Sequence, residues 1–265
     1  MRQKLGQHFL IKGSVLDRIA AAACPDPEDL VIEIGPGRGA LTGRLQRRAA
    51  RVVAIELDPF LVEHLRRKFA GREGLEVVHA DVLETDLEQW GCAAIAGNLP
   101  YYIASPILEK TVRGKFHRAV FLVQKEVAER LAAQPGSRAY GFLTVETSLF
   151  AQVRSLFEVK PSAFYPPPKV DSAVVRLEPR ARPPEAADAA PFLRFVGQCF
   201  HQKRKTIRNN LAPVYGKERI GAWPEAGLRA EQIPLEGFLE MYRRLGAPDA
   251  VPGTTAGTPY LSNDL

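Results

Sequence analysis

The sequence predicts a doubly wound α/β sheet followed by a small helical domain. Three observations predict it. Short apolar runs alternate with helical patterns from residue 30 to residue 133, the βαβ alternation that yields a parallel sheet covered by helices. A glycine turn, Gly35-Pro36-Gly37-Arg38-Gly39, separates the first run from the helix after it. From residue 191 to 245 the pattern is helical only, beyond a stretch rich in proline, alanine and charge.

Taken in order, residues 2–12 mix basic, amide and aromatic groups without a helical or strand period. Phe9-Leu10-Ile11 calls for burial, so this segment is expected to lie across the domain. Val15 to Ala23 reads as a helix stopped near Pro25, and Leu30 to Ile34 as a buried strand. After the glycine turn come a helix from Leu41 to Arg48, a strand from Arg51 to Leu57, and a helix from Pro59 to about Phe69. Leu75 to His79 is the third strand, and Cys92 to Ala96 the fourth, leading into Gly97-Asn98-Leu99-Pro100-Tyr101. Pro106 to Val112 is helical, Ala119 to Val123 is the fifth strand, and Lys125 to Ala133 is helical again. Phe142 to Phe150 fits a helix or a strand, and Ala173 to Leu177 alternates and closes the sheet. Helices are expected over Phe192–Phe200, Lys203–Leu211, a short piece around Ile220, and Leu235–Leu245. The expected domains are therefore 1–180 and 191–247, with a linker over 181–190 and a Gly/Thr/Pro-rich, disordered tail over 248–265.

At 265 residues, with 46% hydrophobic and 25% charged residues, the chain has the composition of a soluble globular protein. No apolar run is long enough to span a bilayer, and the amino terminus lacks the apolar core of a signal peptide. Cys24, Cys92 and Cys199 are isolated and form no C-x-x-C pair, which argues against a disulfide framework or a zinc site and fits a reducing cytoplasm. A formal net charge of +6 favours a polyanionic partner.

The chemistry concentrates in loops after parallel strands, where open α/β sheets bind their ligands. Gly35 and Gly37 allow close approach of the backbone, and Glu56 ends the second strand, where a carboxylate accepts ribose hydroxyls. Asp81, after the third strand, is placed to accept from an adenine amino group. Gly35-x-Gly37-x-x-Ala40 also satisfies the dinucleotide pattern, and Tyr165-x-x-x-Lys169 imitates the catalytic pair of short-chain dehydrogenases. That pair needs a helix, which Pro166-Pro167-Pro168 forbids, so hydride transfer lacks its chemistry. In Asn98-Leu99-Pro100-Tyr101 an amide oxygen accepts, a proline stiffens the turn, and an aromatic ring follows, which together suit the exocyclic amino group of a base. Phe164 and Tyr165, before the proline run, offer a second aromatic wall or core aromatics before a turn. Lys203, Arg204, Lys205 and Arg208, interleaved with amides, have a phosphate-binding composition, although such a run also serves as a solvated face.

Seven motifs stand in register: Gly6-Gln7-His8-Phe9-Leu10, Glu33-Ile34-Gly35-Pro36-Gly37, Ala54-Ile55-Glu56-Leu57-Asp58, Ala80-Asp81-Val82, Asn98-Leu99-Pro100-Tyr101, Pro166-Pro167-Pro168-Lys169-Val170-Asp171-Ser172, and Lys203-Arg204-Lys205-Thr206-Ile207-Arg208-Asn209-Asn210-Leu211. In this order they resemble the ribosomal RNA adenine dimethyltransferases, most nearly the branch acting on bacterial small-subunit (16S) rRNA. The resemblance covers about residues 2–245. It implies a Rossmann-like S-adenosylmethionine-dependent methyltransferase sheet. His8, Leu10, Gly35, Gly37, Glu56, Asp81, Val82 and Asn98 would hold the cofactor, although relatives often carry Asn at position 8. Tyr101 and Phe164 would stack on the target base, and Asn98 with Leu99, Pro100 and Tyr101 would form the catalytic loop. Lys203, Arg204, Lys205 and Arg208 would bind RNA. The implied reaction dimethylates N6 of two adjacent adenines in a 3′-terminal hairpin loop of 16S rRNA within the immature 30S subunit, without a metal, in a cytoplasmic monomer. Large-subunit (23S) rRNA adenine methylation, or a non-catalytic RNA-binding assembly or transcription factor on the same fold, are the alternatives.

Overall fold

The computed structural model describes residues 8–182 and 186–246. The rest of the amino-terminal motif, residues 183–185 of the expected linker, and the tail expected over 248–265 lie outside the described residues. The chain divides into two compact units, Met1–Ala186 and Ala187–Leu265.

The first unit is built on a seven-stranded sheet. Strand β1 (Phe9–Leu10) precedes helix α1 (Gly13–Ala23), and then β2 (Glu28–Ile34), α2 (Thr42–Leu45), β3 (Ala49–Glu56), α3 (Pro59–Lys68) and β4 (Leu75–His79) follow. Next come β5 (Ala93–Asn98), α4 (Ala104–Arg113), β6 (Phe116–Gln124), α5 (Lys125–Leu131), α6 (Phe142–Phe150), β7 (Ala151–Val159), β8 (Phe164–Tyr165) and β9 (Ser172–Pro179). The order across the sheet is β4-β3-β2-β5-β6-β9-β7, with β2 to β6 parallel and β9 and β7 antiparallel. Central strands are apolar on both faces because helices cover both, which is why Val31, Ile32, Val52 to Ile55, Ala93 to Ala96 and Ala119 to Val123 are all buried. Helix α1 packs Val15, Leu16, Ile19, Ala20 and Ala23 onto one face of the sheet, where Val31, Val52, Ala94, Val120 and Val174 share its cluster. Helix α3 starts where Pro59 takes the first helical position and Asp58 accepts the Phe60 N–H at 2.9 Å.

Four expectations change. The helix expected over Leu41–Arg48 is a single turn, Thr42–Leu45, because Arg44, Arg47 and Arg48 donate to carbonyls three residues back in the tighter pattern. Phe142–Phe150 is a helix, and an unforeseen strand, β7, follows it directly. It is β7, not the strand at Ala173–Leu177, that closes the sheet. Helix α7 (Ala186–Phe200) begins inside the expected linker, because Ala186, Ala187, Ala189 and Ala190 are the best helix formers.

The second unit contains most of α7, then α8 (Ile207–Tyr215), α9 (Lys217–Gly221) and α10 (Leu235–Arg244) around Phe195, Ile207, Leu211, Phe238 and Met241. Among the described residues no helix is long and apolar enough to cross a membrane.

Candidate active site

Strand order reverses direction between β2 and β5, and the carboxyl ends of these two strands open the crevice where α/β sheets bind ligands. Gly35 leaves β2 there and Asn98 ends β5. One cleft brings together His8, Leu10, Gly35, Gly37, Glu56 and the whole loop Asn98-Leu99-Pro100-Tyr101. Its roof is the two-stranded ribbon of β1 and β8, paired antiparallel with Phe9 opposite Tyr165 and Leu10 opposite Phe164.

The glycine turn is left-handed at Gly35 (φ 65°) and Gly37 (φ 57°). A Cβ on Gly37 would meet the Phe9 ring at 3.2 Å, a tight contact at a position already left-handed, so the roof sits closest where position 37 lacks a side chain. The Arg38 guanidinium lies over the same ring, 4.6 Å from its centroid.

Three backbone N–H groups hold the Glu56 carboxylate: Gly37 donates to Oε2 at 3.0 Å, and Leu57 and Asp58 donate to Oε1 at 2.9 and 3.0 Å. Asn98 donates from Nδ2 to the His8 carbonyl at 3.1 Å, which directs Oδ1 the other way. The Leu99 N–H donates to the Leu122 carbonyl at 3.0 Å and ties the loop to β6. His8 donates from Nδ1 to the Pro166 carbonyl at 2.8 Å, and its ring lies 5.8 Å from that of Tyr101, tilted by 30°. The Tyr101 hydroxyl shares a 2.8 Å hydrogen bond with Ser172 Oγ. Burial holds the Tyr101 phenol above its ordinary range, so it stays neutral.

Glu33 also lines this cleft, at 1% exposure. Among the described residues its Oε2 has no hydrogen-bond partner, and burial, reinforced by the charge of Glu56, pushes its carboxyl up to about 8. An acidic residue inside an otherwise apolar strand, Leu30-Val31-Ile32-Glu33-Ile34, was the signal for it.

Other expected site residues stand elsewhere. Asp81 accepts the Leu83 N–H at 2.8 Å in the turn after β4, and neither it nor the buried Val82 lines the cleft. The Ala80 N–H donates to the Glu56 carbonyl at 3.1 Å, so that turn begins beside Glu56. Phe164, the expected second wall, is 3% exposed and packs in the core with Leu10 and Val174. Pairing with Leu10 turns its side chain inward, and the alternation of the strand turns Tyr165, 66% exposed, to the cleft. Lys203, Arg204 and Lys205 precede α8 as a turn instead of forming its start, because Thr206 caps the helix by accepting the Asn209 N–H at 3.4 Å. These three and Arg208 are exposed.

A family model described as ribosomal RNA adenine dimethylase matches residues 1–245. The chain belongs to this family. A protein of Acidobacterium capsulatum named ribosomal RNA small subunit methyltransferase A is 43% identical over 257 residues, 92% of this chain and 91% of that one. Among solved structures, a dimethyladenosine transferase from Plasmodium falciparum superposes with a TM-score of 0.73 at 28% identity, covering 90% of this chain and 98% of that one. The 23S rRNA methyltransferase ErmE superposes with a TM-score of 0.72 at 32% identity, covering 89% and 99%. As a ribosomal RNA adenine dimethylase, the protein is a methyltransferase enzyme with a Rossmann-like sheet, acting on ribosomal RNA.

Proposed function

We propose that the protein dimethylates N6 of two adjacent adenines in the 3′-terminal hairpin loop of 16S rRNA, late in small-subunit assembly in the cytoplasm, with S-adenosylmethionine as methyl donor. Relatives at 43% identity that are named small-subunit methyltransferases favour 16S over 23S rRNA, which the near-equal superpositions do not separate. The donor set suits the cofactor. Glu56 would accept from a ribose, the glycine turn and the backbone of His8 and Leu10 would flank the methionine part, and Asp81 and Val82, in the turn that begins beside Glu56, would meet the adenine. Glu33, a buried carboxyl with an unpaired oxygen, complements a ligand carrying positive charge. The bound cofactor supplies a methyl group on a positively charged sulfur, which needs no metal to leave.

The orientation of the Asn98 amide carries the reading. With Nδ2 engaged by the His8 carbonyl, Oδ1 is left to accept an N–H of the target amino group. A loop carbonyl, Leu99's by position, accepts the second N–H. Held by both, the nitrogen turns its lone pair out of the ring and toward the methyl; the N–C bond would form as the S–C bond breaks, with S-adenosylhomocysteine leaving and the N6 proton passing to solvent. Tyr101 stacks on the extruded base, and the Lys203–Lys205 turn with Arg208 takes phosphates. Extrusion costs a few kcal/mol. Alignment of two reactants can lower the barrier by ~7–11 kcal/mol, so positioning carries most of the catalysis. The test is transfer of labelled methyl groups to undermethylated 30S particles, with the modified bases mapped. Wild type should label adjacent adenines near the 16S 3′ end, and Asn98→Ala should label neither with both substrates saturating. Near-normal transfer by Asn98→Ala would sink the mechanism, and label in 23S rRNA the choice of target.

A further inference from the structure

We propose that Ser172 is a positioning residue for methyl transfer, its hydroxyl fixing the angle of the Tyr101 ring on which the target adenine stacks. The inference rests on the stacking role proposed above for Tyr101. Ser172 is fully buried and opens β9, where it stands between Gln124 of β6 and Val159 of β7, so strand pairing on both sides holds its backbone. Tyr101, by contrast, sits half-buried in a single turn, Tyr101–Ile103, which leaves its ring free to swing about two side-chain bonds. The 2.8 Å hydroxyl-to-hydroxyl bond anchors the far end of that ring to the sheet. Because burial keeps the phenol neutral, both groups retain a proton to share. The His8 ring, itself held by the Pro166 carbonyl, rests against Tyr101 as the second restraint. The proline run between these anchors thereby sets the platform for the base.

A buried serine hydroxyl needs some partner, so a purely structural bond is the competing role. Kinetics separate the two. Misplacing a reactant by about 1 Å can cost ~100-fold in rate, and a loosened ring misplaces it by less. In single-turnover transfer to 30S particles, Ser172→Ala and Tyr101→Phe should each slow the methyl step about tenfold. The affinities for cofactor and particle, and the melting temperature, should stay near wild type. The double variant should be no slower than the slower single, since both changes delete one bond. A wild-type rate for Ser172→Ala, additive effects, or a change in melting temperature alone would overturn the proposal. Tyr101→Ala tells this failure from that of the stacking role. If Tyr101→Ala is slow while Ser172→Ala is normal, only the positioning role falls; a wild-type rate for Tyr101→Ala removes the stacking role as well.

Discussion

Three backbone N–H groups already point at the Glu56 carboxylate. A carboxylate offers about four acceptor sites, so one site on Oε2 remains for the proposed ribose hydroxyl. Hydrogen bonds to charged groups contribute ~1.5–3 kcal/mol, so Glu56→Ala should weaken S-adenosylmethionine by one to two decades in calorimetry while RNA affinity holds. Unchanged affinity would remove Glu56 from the site. Glu33 yields a pH signature. Its folded carboxyl is raised to about 8 from 4.5, so the folded state holds a proton that the unfolded chain has lost. That contribution to stability is complete below pH 4.5 and disappears as pH rises through about 8. Melting of the free protein should therefore fall more steeply between pH 5 and pH 8 than in Glu33→Gln, a window set by the two values for Glu33. A cationic ligand favours the carboxylate, so cofactor binding at pH 7 should release a proton, visible as a dependence of binding enthalpy on the buffer's ionisation enthalpy. Parallel melting curves and no buffer dependence would leave Glu33 a neutral packing group. The cleft residues were legible in sequence where each motif is contiguous and follows a strand. The bond between Tyr101 and Ser172, a residue of the sixth motif, was not, because the two lie 71 residues apart and no local pattern announces the contact.

Among the elements, the turn before α8 gains its order from a buried amide. Asn210 donates from Nδ2 to the Cys199 carbonyl at 2.8 Å and to the Gln202 carbonyl at 3.2 Å, and its Oδ1 accepts the Gln202 N–H. This clasp closes the turn carrying Lys203, Arg204 and Lys205, and the Ile207 N–H, donating to the Leu228 carbonyl, fixes its far side. Replacing the three cations with Ala should weaken binding to 30S particles and flatten its salt dependence. The slope of log K against log[salt] should fall by ~0.7–0.9 for each phosphate that a cation no longer neutralises. Asn210→Ala should lower affinity in the same direction with every charge retained. An unchanged slope in the triple variant would make the run a solvated surface. The composition was legible in sequence; the turn was not, since a helical reading of Lys203–Leu211 ignores that Thr206 caps better than it propagates. Strand β7 escaped for another reason. It continues from α6 across Phe150-Ala151 with no glycine or proline between, so no local signal marks the change of period.

At the scale of the molecule, the chain forms two compact units, Met1–Ala186 and Ala187–Leu265. Apart from the turn of Asp81 and Val82, every group proposed to hold the cofactor lies on the cleft of the first unit, and the proposed phosphate-binding cations lie in the second. A ligand that binds only folded protein stabilises it by about 2.7 kcal/mol at one hundred times its Kd. For a unit of this size that corresponds to a rise of roughly 5–10 °C in melting temperature. Scanning calorimetry should therefore show unfolding that departs from a single two-state transition. S-adenosylhomocysteine, the product, should raise the transition of the first unit and leave the other in place. Nicotinamide dinucleotides should move neither, because the glycine spacing they share with this chain is not joined to hydride-transfer chemistry. One transition rising as a whole with the product would mean that the units unfold together. A shift caused by nicotinamide dinucleotides instead would contradict the cofactor assignment itself, since the cleft would then be reading the dinucleotide pattern in Gly35-x-Gly37-x-x-Ala40 and Glu56.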